Sequence, residues 1–165
     1  MGDKVPKWFV YNYGRRCTLV CAVSALRFLG ADLGLDLVSE IEKNIDFYPS
    51  LGPSALNYFG LGRQRPKLDL AVEMAGKSSG LIISAQTIAW PNFDLIKENY
   101  KANDSAFVLN CFIAPGGRFN HSVLAYDVDL DKTVLRTIDP NDGVITDYKW
   151  GKLNFVVTLT IIKLV

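Results

Sequence analysis

One stretch near the N-terminus is apolar on nearly every side. Residues 17–29 contain a single charged residue, Arg27, and Gly30 follows them directly. A helix that is apolar all round is usually buried, and glycine often follows the last turn of a helix. The pattern therefore predicts a buried helix that begins near Cys17 and ends before Gly30.

Further helices are predicted in the first hundred residues, where proline and glycine interrupt the chain. Val38, Ile41 and Ile45 have helical spacing, and one short strand is expected over residues 81–83. Proline can open a helix and glycine can end one. On this basis helices are also expected over residues 53–59, 67–75 and 93–100.

From about Ser105 the pattern changes to strands separated by turn residues. The sequence Pro140-Asn-Asp-Gly143 is a strong turn signal, and short turns between successive strands imply antiparallel pairing. We therefore predict an α+β fold in one domain, residues 1–165, with a helical part over about 12–104 packed on an antiparallel sheet over about 105–165. The strands are expected at residues 106–113, 121–127, 133–138, 144–150 and 153–165.

Composition and charge disfavour several classes of function. The 165 residues carry 18 basic and 17 acidic side chains, so no overall field attracts nucleic acid. The longest apolar stretch, residues 155–162, is too short to span a bilayer, and the N-terminal residues lack the apolar core of a signal peptide. We expect no nucleic-acid partner, no membrane insertion, and a location in the cytoplasm or outside it by a route without a signal peptide.

The chain has three cysteines, Cys17, Cys21 and Cys111. An odd number without a signal peptide argues against a disulfide framework. Cys17 and Cys21 could provide two zinc ligands, but no paired second half of a zinc site follows them. We therefore expect neither a metal nor a cofactor, which leaves the thiols as candidate nucleophiles.

Two of these thiols lie in the apolar helix. Cys17 begins it, where unpaired N–H groups and the helix dipole lower a thiol pKa, and Arg15 and Arg16 precede it. The N–H groups of that first turn could also hold an oxyanion. Cys21 lies one turn later on the same face, and it would fall in the first turn if Thr18 were the N-cap. We favour Cys17 because the two arginines adjoin it, with Cys21 as the alternative nucleophile.

His121 is the only histidine in the chain. It begins a predicted strand, and Asp139 ends the next one. Adjacent antiparallel strands joined by a short turn bring these two positions together, so the carboxylate could fix the tautomer of the imidazole. We therefore expect Asp139 to accept a hydrogen bond from His121, with Asn141 as the less favoured orienting residue.

The order of these groups resembles that of papain-like cysteine peptidases, especially the bacteriocin-processing (double-glycine leader) peptidases and their free-standing relatives. That family has a cysteine opening an apolar helix that ends in glycine, then a histidine followed by a β-branched strand, then Asp-Pro. The matching positions here are Cys17 with Gly30, His121-Ser-Val-Leu-Ala125, and Asp139-Pro140. The resemblance covers roughly residues 8–140.

Two positions depart from the family pattern. Thr18 stands where the family usually has glycine. The family also has a glutamine a few residues before the cysteine, and here no glutamine occurs there, so Asn12 is the nearest amide that could hold the oxyanion. In the alternative alignment register, Tyr11 occupies the position of that glutamine. The resemblance implies a cysteine peptidase or amidase that cleaves a peptide or protein through a thioester intermediate. Two alternatives stay open: a catalytically weak module that binds a peptide, and an effector toxin that deamidates or cleaves a host or rival protein.

Overall fold

The structure is a computed structural model that describes residues 4–12, 16–31, 41–42, 44, 46–48, 65–114, 119–151 and 156–165. Helices of this part are α1 (Cys17–Phe28), α2 (Asp69–Ser78) and α3 (Phe93–Asn99). Its strands are β1 (Asp46–Tyr48), β2 (Arg65–Lys67), β3 (Ile83–Ala89), β4 (Ser105–Ile113), β5 (Phe119–Asp129), β6 (Val134–Ile138), β7 (Ile145–Lys149) and β8 (Val156–Leu164). None of the helices in these ranges has the length and apolar character needed to span a membrane.

The α+β fold class is confirmed, and its centre is a six-stranded sheet in the order β3-β8-β4-β5-β6-β7. Every neighbouring pair in it is antiparallel. The strands β4 to β7 lie side by side in chain order, as short connections require. The last strand, β8, instead crosses back to lie between β3 and β4.

The boundary expected near residue 104 does not separate helices from sheet, because β3 precedes it and belongs to the sheet. The strand expected over residues 81–83 is in fact longer and runs from Ile83 to Ala89. Ser84 and Gln86 interrupt its apolar residues, which gives the alternation of a strand with one covered face. The helix expected over residues 53–59 lies outside the described residues, as do Val38 and Ile45.

Helix α1 is buried, as its apolar surface predicted. Its residues from Leu19 to Leu26 are all buried, and it packs on β4 and β5. Gly30 has a φ of 101°, and its N–H donates to the Arg27 carbonyl at 3.1 Å, while the N–H of Ala31 donates to Leu26 at 2.9 Å. This pair of bonds is a Schellman motif, which ends the helix where the glycine indicated.

Both faces of the central strand β4 are covered. Ala106 and Val108 belong to the core that includes α1 and α2, whereas Phe107 and Leu109 belong to a second core that includes Ile96 of α3. All four side chains are inaccessible to solvent. The next residue of this strand, Asn110, is therefore held by well-packed neighbours.

The Pro140–Gly143 turn was also correctly predicted. The N–H of Asp139 donates to Val144 at 3.0 Å, and the N–H of Gly143 donates to the Asp139 carbonyl at 2.8 Å. Because Leu124 of β5 pairs with Ile138 of β6, the residue after β6 lies beside the beginning of β5. This register places Asp139 within reach of His121.

Candidate active site

The imidazole of His121 and the carboxylate of Asp139 are in direct contact. Nε2 of His121 lies 2.9 Å from Oδ1 of Asp139, and the two residues are only 6% and 8% exposed. The same carboxylate oxygen accepts the N–H of Asn141 at 2.8 Å. With Nε2 held by Asp139, Nδ1 is the ring nitrogen left to meet the thiol of Cys17.

Cys17 is the first residue of α1, and its half-buried thiol interacts with His121 and with the hydroxyl and backbone N–H of Ser122. Burial, the largest influence, raises the pKa of this thiol. The hydrogen bonds from His121 and Ser122, together with the charge of His121, outweigh burial and lower the pKa from 9.0 to about 7. A thiolate at position 17 is therefore available near neutral pH.

His121 is shifted in the complementary direction. Burial lowers its pKa, but hydrogen bonds to Asp139 and Cys17 and the charges of both partners raise the pKa from 6.5 to about 9. Between about pH 7 and about pH 9 the pair thus exists as thiolate and imidazolium. This is the charge state that a cysteine nucleophile needs, because the thiolate attacks and the imidazolium can donate a proton.

Cys21 lies one turn deeper in α1 and is buried, 1% exposed. Burial raises the pKa of its thiol well above the usual value, and the charges of Cys17 and Asp139 add to that rise. Thr18 is not the N-cap that would have moved the first turn toward Cys21, because the cap position is Arg16. The thiol that meets His121 is therefore that of Cys17.

Arg16, one of the two arginines that favoured Cys17 in the sequence, does not supply the charge partner of the thiol. The guanidinium of Arg16 lies 3.3 Å from the carboxylate of Glu42 and is half-exposed, and Arg15 lies outside the described residues. Among the described side chains, the positive charge that lowers the pKa of Cys17 is that of His121. The preference for Cys17 over Cys21 thus rests on the imidazole and on burial, not on Arg16.

Asn12 lies at this end of α1. Its Oδ1 accepts the backbone N–H of Arg16 at 3.2 Å, and its Nδ2 donates to Oδ1 of Asn141 at 2.7 Å. The backbone N–H of Asn12 donates to Pro140 at 2.7 Å. Asn12 therefore joins the start of the helix to the turn that carries Asp139, and Asn141 supports Asp139 rather than the imidazole.

Sequence reasoning missed a polar cluster beneath the thiol, formed by Thr18, Asn110, Ser122 and Thr158. Oγ1 of Thr18 lies 2.7 Å from Oγ of Ser122 and 3.1 Å from Oδ1 of Asn110. Ser122 also donates to that Asn110 oxygen, and Nδ2 of Asn110 donates to Thr158 at 2.8 Å. A single polar residue within an otherwise apolar run, such as Asn110 in β4, and Ser122 directly after the only histidine were the available signal.

No protein-family model matches the chain, and no curated protein shows significant similarity to it. Among solved structures, the chain is similar to the N-terminal peptidase C39-like domain of the toxin secretion ATP-binding protein from Vibrio parahaemolyticus. The match covers 93% of this chain and 100% of that domain, with a TM-score of 0.49 and 12% sequence identity. Because the likeness is this distant, the function is inferred below from the geometry of the site.

Proposed function

We propose that this protein is a papain-like cysteine peptidase or amidase whose nucleophile is Cys17. The observation that carries the proposal is the buried His121–Asp139 pair, 2.9 Å apart, which interacts with the thiol of Cys17 at the N-terminus of a buried helix. Nucleophile, base and orienting group are the three parts that thiol hydrolysis requires. They come from α1, from β5 and from the residue after β6, so only the folded chain assembles them.

The proposed reaction proceeds in two stages. The Cys17 thiolate attacks the carbonyl carbon of the scissile amide, and the carbonyl oxygen becomes an oxyanion. The imidazolium of His121 then gives its Nδ1 proton to the leaving amine as the C–N bond breaks, which leaves a thioester on Cys17. A water molecule, deprotonated by His121, attacks the thioester, and the acid is released as the thiol re-forms.

The oxyanion needs donors that are already in place. The first N–H groups of a helix have no partner within the helix, and those of α1 surround the position of Cys17. Backbone N–H groups aimed at a developing oxyanion are a strong source of rate enhancement. Asn12, whose side chain lies at this end of α1 and accepts the N–H of Arg16, is the side chain that we assign as a further donor.

The substrate that we propose is an extended peptide or a segment of a protein. The decisive experiment incubates the purified protein with a peptide library at pH 8 and reads the products by mass spectrometry. Cleaved peptides are expected, with the acyl intermediate recovered on Cys17 after acid quench. Conversion of glutamine to glutamate without chain cleavage would identify a deamidase instead. Binding of peptides with neither product nor acyl-enzyme would refute hydrolysis and favour the binding module.

Asp139→Asn should lower turnover strongly without unfolding the protein. The amide can still accept the Nε2–H bond, but its charge is lost, so the imidazolium of His121 is less stabilised and its pKa falls. The loss should not exceed what general acid–base catalysis contributes, and we expect kcat/KM to fall by roughly 10²-fold. Asp142→Asn makes the same change at an exposed position of the same turn and should preserve activity. Equal activities of the two variants would remove Asp139 from the mechanism.

A further inference from the structure

In the polar cluster beneath Cys17, the hydroxyls of Thr18 and Ser122 each lie near more than one hydrogen-bond acceptor. Because Nδ2 of Asn110 donates to Thr158, Oδ1 of Asn110 faces the hydroxyls of Thr18 and Ser122 as an acceptor. Asn110 and Ser122 are almost fully buried, 2% and 3% exposed. An acceptor buried this deeply loses stability if no proton reaches it.

The hydroxyl of Ser122 has two possible acceptors and one proton. It donates to Oδ1 of Asn110, and it also interacts with the thiol of Cys17, whose pKa it lowers. A hydroxyl carries a single hydrogen. When Cys17 is a thiol, the proton is best placed on Asn110, whereas a thiolate is the stronger acceptor because it is charged.

Thr18 provides the proton that this exchange needs. Its Oγ1 lies within hydrogen-bond distance of both Ser122 and Asn110, at 2.7 Å and 3.1 Å. If the Ser122 proton turns to the sulfur, the Thr18 proton can turn to Oδ1 of Asn110. No buried acceptor is then left without a donor in either protonation state of Cys17.

We propose that Ser122 is a positioning residue whose hydroxyl proton turns from Asn110 to the sulfur when Cys17 ionises, and that Thr18 takes over the bond to Asn110. The inference rests on the proposed function, since it describes how the nucleophile is stabilised. The proton that leaves the thiol goes to Nδ1 of His121, and the two hydroxyls only rotate, so no other bond is broken. The proposed exchange also gives Thr18, the residue after the nucleophile, a role in stabilising the thiolate.

The test is the pH dependence of iodoacetamide alkylation of Cys17. Ser122→Ala removes the hydroxyl but keeps the backbone N–H that donates to the sulfur. We expect the alkylation midpoint to rise by about one pH unit, the size expected from one hydrogen bond to a charged group. Thr18→Val should raise it by a smaller amount, because the turned Ser122 proton would leave Asn110 without a donor. Thr18→Ser should keep the wild-type midpoint.

The double variant Ser122→Ala, Thr18→Val distinguishes a coupled pair from two independent hydroxyls. In the coupled pair its midpoint should equal that of Ser122→Ala alone, because Thr18 has no proton left to replace. Thr160→Val is the matched control, since its buried hydroxyl pairs with Thr87 at 2.9 Å on the same sheet, and its midpoint should not move. Circular dichroism checks that each variant folds. If Ser122→Ala does not fold, the test is the comparison of the alkylation midpoints of Thr18→Val and Thr18→Ser.

The outcomes distinguish failure of this inference from failure of the proposed function. This inference would be overturned by additive shifts in the double variant, or by unchanged midpoints in Ser122→Ala and Thr18→Val. The proposed function would still stand in that case if the wild-type protein cleaves peptides. A wild-type Cys17 that titrates like an ordinary thiol and cleaves no peptide would overturn both. A shift in Thr160→Val as large as that in Thr18→Val would show that the effect is a general loosening of the sheet, and would also overturn the inference.

Discussion

Cys17→Ala should remove peptide cleavage and the fast-reacting thiol together. The substitution deletes the attacking atom, so the expected fall in kcat is about 10⁶-fold, by comparison with deletion of a nucleophile in other hydrolases. Iodoacetamide labelling near pH 7 should disappear as well, because the remaining thiols of Cys21 and Cys111 are buried. The measurements are single-turnover cleavage and the rate of labelling, each followed from pH 5 to pH 10.

Cys21→Ala is the matched control for this prediction. It deletes a thiol from the same helix, one turn away, where burial holds the pKa well above the usual value. Labelling and cleavage should persist, with a moderate loss of stability because a buried sulfur is exchanged for a smaller group. Fast labelling that follows Cys21 instead would exchange the roles of the two thiols and keep the class of enzyme. If neither thiol reacts faster than free cysteine, the chain is better described as a peptide-binding module.

The nucleophile helix could be predicted because everything that defines it is local. An apolar run and a following glycine specify a buried helix and its end without reference to the rest of the chain. The meeting of His121 with Asp139 could be predicted for a similar reason. Two successive strands joined by a short turn have few ways to pair, and antiparallel pairing brings the start of one beside the end of the other.

The position of β8 could not be read from its own residues. Its apolar run fits any buried strand, and which neighbours a strand takes depends on packing between segments that are distant in sequence. The structure inserts β8 between β3 and β4, which also draws β3 into the sheet. The division of the chain into a helical part and a sheet therefore missed β3, although it described the order of the later strands.

The lowered pKa of the Cys17 thiol was predicted in the right direction, but Arg16 is not its source. Arg16 is adjacent to Cys17 in sequence, but a long side chain at a helix terminus has several directions open to it, and here it reaches Glu42. The imidazole of His121, more than a hundred residues away in sequence, supplies the charge instead. The polar cluster escaped prediction for the same reason, because its members come from α1, β4, β5 and β8.

His121→Ala should move the labelling of Cys17 to higher pH and lower the rate of cleavage still more strongly. Without the imidazole the thiol loses a hydrogen bond and a positive charge that lower its pKa, while the burial that raises its pKa remains. Labelling at pH 7 should therefore fall at least about fivefold, which corresponds to a rise of one pH unit or more from a midpoint near 7. Cleavage should fall further, by roughly 10²- to 10⁴-fold more, because no group is left to protonate the leaving amine.

The wild-type profiles separate these two roles of the imidazole. Labelling needs only the thiolate, so its rate should rise through about pH 7 and stay high. Cleavage also needs the imidazolium, so it should rise through about pH 7 and fall again through about pH 9 as His121 loses its proton. The rise and the fall of the cleavage profile belong to the coupled pair rather than to either residue alone. Both should be lost from the cleavage profile of His121→Ala. Cleavage that stayed maximal at pH 10 in the wild-type protein would mean that the leaving amine takes its proton from another donor, and His121 would then serve the thiolate alone.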